Sequence, residues 1–357
     1  MYASTSGGRR RVTWWLSLVA KLAITALLFW LLLARAPVET VLAQTRSISA
    51  GTIGLLAFGL FLLSATTALR WMMVLRSLGT RLGFAPLWRY VIVGMFFNQF
   101  LPSGSGGDVF RIWYVRSTGI SLGRATASVV VDRVLGLLAL FAVVAVGVPF
   151  VLDATEDGLI RSMMFLIAVA LAVAIGAFLR MDVLANLLRR VGLVVELEKR
   201  HARAKRLLDG IERTASAARG LLRAWPEGPF AFGLSVVNQV ILGAVVWILA
   251  REVGADPGFA AAMFMFPYVL LLSMVPVSLA GWGLREGAMV VVFTLVGMPP
   301  AAALTVSLLF GACQLVASLP GGLLWLQGHR RLTRDQIAEI GHGIEAVEPT
   351  RHTTNHP

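Results

Sequence analysis

The chain has 357 residues, of which 57% are hydrophobic and only 14% are charged, whereas about 25% of the residues in a typical soluble domain are charged. This composition excludes soluble globular, disordered and fibrous proteins, and it predicts a polytopic membrane protein. The net charge of +13 would suggest nucleic acid for a soluble protein. Here it predicts cytoplasmic loops that face an anionic membrane surface, and no nucleic-acid partner.

Six apolar runs are long enough to cross a hydrocarbon core of roughly 30 Å. They cover residues 14–34, 51–69, 127–152, 159–179, 230–250 and 301–326. The first run has an alternative interpretation as a signal peptide, because Ala34-Arg35-Ala36 resembles a cleavage site. Pro37 and the length of the run favour a retained helix.

Two further apolar regions are broken by proline and glycine. Residues 87–101 precede a Pro- and Gly-rich stretch that begins at Pro102, and residues 259–275 precede Pro276, two glycines and a second short run, 288–296. Such breaks are typical of re-entrant or discontinuous helices. We therefore expect an all-α polytopic membrane protein with about six full spans and two re-entrant or broken helix hairpins, which corresponds to six to eight transmembrane helices.

The distribution of basic residues predicts that both termini are cytoplasmic. Segment 180–225 carries eleven Lys/Arg and five Asp/Glu, and the loop after the second span, with Arg70 and Arg76, is also basic. The predicted domains are a cytoplasmic N-terminus (1–13), a transmembrane domain (14–328) with a cytoplasmic amphipathic segment (181–225), and a disordered cytoplasmic tail (329–357). Within the amphipathic segment, residues 196–222 are expected to bind the anionic lipid surface, or alternatively to dock a lipid-modifying enzyme.

The two breaks resemble each other at an offset of 174 residues. Pro102 then aligns with Pro276, Gly107 with Gly281, and Arg111 with Arg285. Because the first hairpin is expected to open to the cytoplasm and the second to the outside, the pair forms an inverted repeat, a design found in transporters with a midplane site. The alternative is two Pro/Gly kinks that serve helix packing.

Charged residues near the breaks are the candidates for substrate binding. Charges at membrane depth need a partner or water, and the start of a half-helix favours an anion. A phosphate held by Arg111 and Arg285 fits this pattern, with nearby carboxylates as compensation, although the same charges could pair structurally. The predicted substrate-binding residues are Asn98, Pro102, Gly106, Gly107, Asp108, Arg111, Asp132, Arg133, Gly281, Arg285 and Glu286. Asn98 is expected to line the cavity or to cap the break, whereas Asn238 favours a helix–helix hydrogen bond.

Three motifs resemble the membrane domain of lysylphosphatidylglycerol synthases, a flippase-like family. They are Asn98…Leu101-Pro102…Gly106-Gly107-Asp108…Arg111, then Asp132-Arg133-Val134-Leu135-Gly136, then Gly281-Trp282-Gly283-Leu284-Arg285-Glu286-Gly287. The resemblance covers about residues 14–328. It implies movement of a lipid with an anionic or aminoacylated headgroup between the leaflets of the plasma (inner) membrane. The chain ends shortly after its last span, so we do not expect the synthases' aminoacyltransferase domain or lysyl-lipid synthesis.

Two other functional classes remain open. One is a membrane-embedded enzyme acting on a lipid phosphate, although the sequence has no HExxH motif, Walker A motif or Cys/His metal cluster. The other is a scaffold for a lipid-modifying enzyme. We expect no cofactor, no metal and no catalytic residues.

Overall fold

The computed structural model describes residues 38–100, 106–154, 158–180, 202–274 and 282–329, together with single positions of the first predicted span. Apart from those single positions, the span at 14–34 lies outside the described residues. The same holds for Pro102, Gly281 and the tail 330–357. Within the described ranges the chain forms α-helices and no strand. The helices are α1 Val38–Ser47, α2 Ala50–Ser77, α3 Phe84–Phe100, α4 Gly106–Ser117, α5 Leu122–Ala154, α6 Gly158–Leu179, α7 Ala202–Arg223, α8 Glu227–Glu252, α9 Phe259–Ser273, α10 Leu284–Thr294 and α11 Pro300–His329.

Within the part of the chain that the structure describes, four helices are long and apolar enough to cross a membrane, namely α2, α5, α8 and α11. A further 22-residue helix, α6, covers the fourth predicted span and contains a single charged residue, Arg161. The shorter apolar helices lie between the long ones along the chain. The prediction of an all-helical polytopic membrane protein is confirmed.

Helix α2 extends beyond its predicted span, 51–69. It begins after Ser49, whose hydroxyl accepts a hydrogen bond from the Thr52 N–H at 2.9 Å, and it ends at Ser77 before Gly79, which has a φ of 76°. The prediction that Arg70 belongs to a loop is therefore wrong. The helix continues because Trp71 and Leu75 are fully buried, and because the carboxylate of Asp132 offsets the charge of Arg70.

The first break forms a helical hairpin from α3 and α4. Tyr90 stacks on Tyr114 with ring centroids 4.6 Å apart, and Phe97 stacks on Phe110 at 3.7 Å. Moving back along α3 thus corresponds to moving forward along α4, so the two helices are antiparallel. At a rise of 1.5 Å per residue, the 12 residues of α4 span only about 18 Å, which is too short to cross the membrane.

The second break forms a comparable pair from α9 and α10, which have 15 and 11 residues and pack against each other. The two hairpins open at opposite ends of the bundle. Helices α2 and α8 are antiparallel, because Thr66 bonds to Asn238 and Arg70 bonds to Ser235. Since the first hairpin follows the end of α2 and the second follows the end of α8, their orientations are inverted, as the repeat predicts.

The amphipathic helix α7 packs on the bundle through part of its apolar face. Ala215, Ala218 and Leu221 are buried, and the last two belong to the same apolar cluster as residues of α2, α5 and α8. This half of the predicted membrane-binding face is therefore covered by the protein itself. Ile211 remains partly exposed.

Candidate functional site

A polar cavity of about 320 Å³ lies among α2, α3, α4, α5, α8 and α11. Its volume is at the lower end of the roughly 300–1,000 Å³ of ligand pockets. The charged residues in its lining are Arg70, Arg111, Asp132 and Arg133. Neutral polar side chains also line it, namely Thr67, Asn98, Gln99, Asn238, Gln314 and Ser318. Apolar residues complete the lining, namely Leu60, Leu63, Val91, Gly94, Met95, Leu242 and Ala317. Such a lining at membrane depth points to a polar ligand or a path for one.

Asp132 joins two arginines inside the bundle. Its Oδ1 accepts from Arg70 Nε at 2.6 Å, and its Oδ2 accepts from Arg111 Nη2 at 2.8 Å. The side chain of Asp132 is only 1% exposed. The triad links α2, α4 and α5, and Arg70 also donates to the Ser235 hydroxyl of α8 at 3.1 Å. A buried charge of this kind is stable only with such partners.

Arg133, the next residue along α5, points to a different partner. It donates to both carboxylate oxygens of Asp108, from Nε at 2.8 Å and from Nη2 at 3.0 Å. Its side chain is 49% exposed. Asp132 and Arg133 have different partners because successive residues of a helix point in different directions.

Arg111 is the most enclosed guanidinium of the cavity. It stacks over the Trp71 ring at 4.1 Å, it bonds to Asp132, and its Nη1 lies 3.6 Å from Asp108. The residue is only 5% exposed, yet its Nε has no hydrogen-bond partner among the described residues. An unpaired buried donor is costly, so this nitrogen provides capacity for an acceptor.

The hairpin of α3 and α4 brings Arg111 to the cavity. The Gly107 N–H donates to Asn98 Oδ1 at 2.8 Å, so Asn98 caps the start of α4. Asn98 also lines the cavity, so the two alternatives predicted for this residue occur together. A Cβ atom on Gly107 would overlap the carbonyl oxygen of Gly94. The glycine at this position lets the two backbones meet. Gly106, the first residue of α4, is buried beside it.

The second hairpin places its arginine differently. Arg285 donates to Glu286 Oε1 from Nη2 at 2.7 Å, and its Nη1 donates to Gln314 at 3.0 Å. Glu286 is fully buried and also accepts from the Gly283 N–H at the start of α10. Arg285 is not among the residues that line the cavity, whereas its hydrogen-bond partner Gln314 is. Arg111 and Arg285 therefore do not face each other across one site in this conformation.

The repeat also differs in register. Arg111 is the sixth residue of α4, whereas Arg285 is the second residue of α10. Arg111 forms its closest ion pair with Asp132 of α5, whereas Arg285 forms its ion pair with Glu286, the next residue in the chain. The predicted hydrogen bond of Asn238 between helices is also present, because Asn238 accepts from Thr66.

Two important residues of the cavity were missed by sequence reasoning. Arg70 was assigned to a loop because it follows the apolar run, and Gln314 has no charge to distinguish it in α11. A signal for Arg70 was available: Trp71 to Leu75 continue the apolar run after it.

The fold and the cavity define a polytopic membrane protein with a charged cavity among its helices. The model of the lysylphosphatidylglycerol synthase TM region matches residues 18–321, and the chain belongs to this family. A UPF0104 membrane protein of Methanocaldococcus jannaschii is 25% identical over 265 residues, which cover 71% of this chain and 78% of that protein. Another, from Methanothermobacter thermautotrophicus, is 23% identical over 251 residues, or 67% and 74% of the two chains.

Proposed function

We propose that the protein moves an anionic or modified phospholipid between the two leaflets of the membrane, with the lipid phosphate bound by Arg111. The observation that carries this proposal is the unpartnered Nε of a buried guanidinium at the cavity. A phosphate oxygen is a suitable acceptor, since the guanidinium group matches phosphate geometry.

The two hairpins supply a rationale for transport rather than simple binding. Their inverted orientation gives the bundle two related halves, and rocking of one half against the other is a common route to alternating access. Arg285 is proposed to receive the phosphate when the opposite side opens. In the present conformation Gln314 lies between Arg285 and the cavity.

We further propose the plasma (inner) membrane as the location, with both termini in the cytoplasm. Arg251 in the last turn of α8 and Asp256 just after it lie at the end of the bundle opposite the basic segment that precedes α8. The positive-inside rule supports this orientation. We propose no catalytic step and no cofactor for the protein itself.

Lipid translocation in proteoliposomes tests the proposed function. Fluorescent phospholipids are bleached in the outer leaflet, and the protein-dependent loss of the protected fraction is followed. We expect movement of anionic lipid with wild type, strong loss with Arg111→Ala, and partial retention with Arg111→Lys, which keeps the charge but not the fork. Arg251→Gln, a remote surface change, serves as the control.

No movement by correctly folded wild type, across anionic and zwitterionic lipids, would contradict the proposal. Product formation from a lipid phosphate by the purified protein would instead support a membrane-embedded enzyme. Activity that depends on a second protein and on the α7 region, but not on Arg111, would support a scaffold.

A further inference from the structure

The charges around the cavity do not cancel. Three arginines, Arg70, Arg111 and Arg133, are joined by ion pairs to two aspartates, Asp108 and Asp132. The cluster therefore carries one net positive charge. Because an uncompensated charge at membrane depth is expensive, a ligand with one negative charge completes the site.

Both carboxylates of this cluster are already paired with arginines. Both oxygens of Asp132 accept from arginines, and both oxygens of Asp108 accept from Arg133. The spare group is a donor, Arg111 Nε, and the half-exposed Arg133 adds further N–H groups. Within the described lining, the site thus favours an acceptor-only anion and offers no unpaired carboxylate to an ammonium group.

The remainder of the lining is uncharged and combines apolar side chains with polar ones. Asn98, Gln99 and Ser318 present amide and hydroxyl groups, which both donate and accept hydrogen bonds, whereas Gln314 is bonded to Arg285. Hydroxyl groups of an uncharged headgroup match such partners. A cavity of about 320 Å³ also favours a small headgroup, since pockets of this size are near the lower limit for ligands.

From these observations we infer that the substrate class is a phosphodiester lipid with one negative charge and a small, uncharged, hydroxyl-bearing headgroup. The inference rests on the proposed function, which it makes more specific. It disfavours lipids whose headgroup carries an amine, and phosphate monoesters or diphosphates. A phosphate monoester carries about −1.5 to −2 charges at pH 7, more than the cluster neutralises.

The Asp108–Arg133 pair sets this preference. Asp108→Asn raises the cluster to two net positive charges, and Arg133→Gln lowers it to zero. Both side chains lie at the more exposed part of the cluster, so these variants leave the buried triad around Asp132 intact. Arg251→Gln changes the protein's total charge by the same amount as Arg133→Gln, but far from the cavity, and is the matched control.

Binding of defined lipids to the purified full-length protein tests the inference independently of transport. Native mass spectrometry in detergent would compare phosphatidylglycerol, phosphatidylethanolamine, lysyl-phosphatidylglycerol and phosphatidic acid. We expect phosphatidylglycerol to bind at least about tenfold more tightly than the other three, a ratio in the range of one charge-assisted hydrogen bond. Arg133→Gln should remove its advantage over phosphatidylethanolamine, and Asp108→Asn should shift the preference toward phosphatidic acid.

Equal binding of the four lipids, or preferred binding of an amine-bearing headgroup, would overturn the inference. So would identical selectivity in wild type, Arg133→Gln and Asp108→Asn. Selective binding without translocation would contradict the proposed transport but retain the assignment of the ligand. Translocation with a different binding preference would retain transport and reject the substrate class.

Discussion

Neutralising Asp132 should be the most destabilising single change in the charged cluster. Its carboxylate is 1% exposed and lies between two guanidinium groups, 2.6 Å from Arg70 and 2.8 Å from Arg111. Asp132→Asn keeps the size of the side chain but leaves Arg70 without a counter-charge, and it leaves Arg111 with only its 3.6 Å contact to Asp108. Breaking a buried ion pair in this way costs about 3–5 kcal/mol.

Asp108→Asn is the matched comparison, because it too neutralises an aspartate that forms an ion pair with an arginine. The partner of Asp108 is Arg133 of α5. The arginine in this pair, Arg133, is 49% exposed, and exposed ion pairs contribute about 0.2–1 kcal/mol. The free energy of unfolding should therefore fall by roughly 3 kcal/mol more for Asp132→Asn than for Asp108→Asn. Denaturant titration in mixed micelles, followed by tryptophan fluorescence, measures this difference.

A second variant separates charge from packing. Asp132→Asn combined with Arg70→Gln also removes the positive charge of Arg70, which Asp132→Asn leaves without its carboxylate. The double variant should therefore be more stable than Asp132→Asn alone. The reasoning is refuted if Asp132→Asn unfolds at the wild-type denaturant concentration, or if it costs no more than Asp108→Asn.

Three further changes probe the hairpins. Gly107→Ala should reduce stability and transport, because its Cβ overlaps the Gly94 carbonyl oxygen, whereas Gly287→Ala, with open space around its Cβ, should leave both within error in the same assays. Asn98→Leu removes the cap of α4 and should lower the unfolding free energy by about 1 kcal/mol; an unchanged denaturation midpoint would argue against the cap. Gln314→Leu removes a hydrogen bond to the arginine of the second hairpin and should slow translocation while binding of phosphatidylglycerol persists; loss of binding instead would place this side chain in the headgroup site.

Much of the fold was predictable from hydropathy and from proline and glycine. Long apolar runs must become helices, because the membrane interior leaves backbone groups no other partner. The breaks near Pro102 and Pro276 coincide with interruptions between short helices. The end of α2 was not predictable from hydropathy alone, since a paired arginine within a helix has the same local pattern as one that begins a loop.

Part of the membership of the charged cluster was predictable, but its pairing was not. Asp108, Arg111, Asp132 and Arg133 do come together, because each is a charge that needs a partner at membrane depth. Which carboxylate bonds to which arginine depends on the rotation of three helices about their axes, and a single sequence carries no direct signal for that. The same limit explains why Arg285 was expected to face Arg111 and instead bonds to Glu286.

Photocrosslinking from inside the cavity tests the central claim that a lipid headgroup enters the bundle. Leu63 lines the cavity, whereas its neighbour Leu62 is 44% exposed on the outside of α2. A diazirine-bearing side chain at each position would be irradiated in membranes that contain phosphatidylglycerol radiolabelled in the glycerol headgroup. We predict capture of the label from position 63 that falls strongly with Arg111→Ala, and little change at position 62. Capture at position 62 alone, or capture at position 63 that is independent of Arg111, would contradict the account.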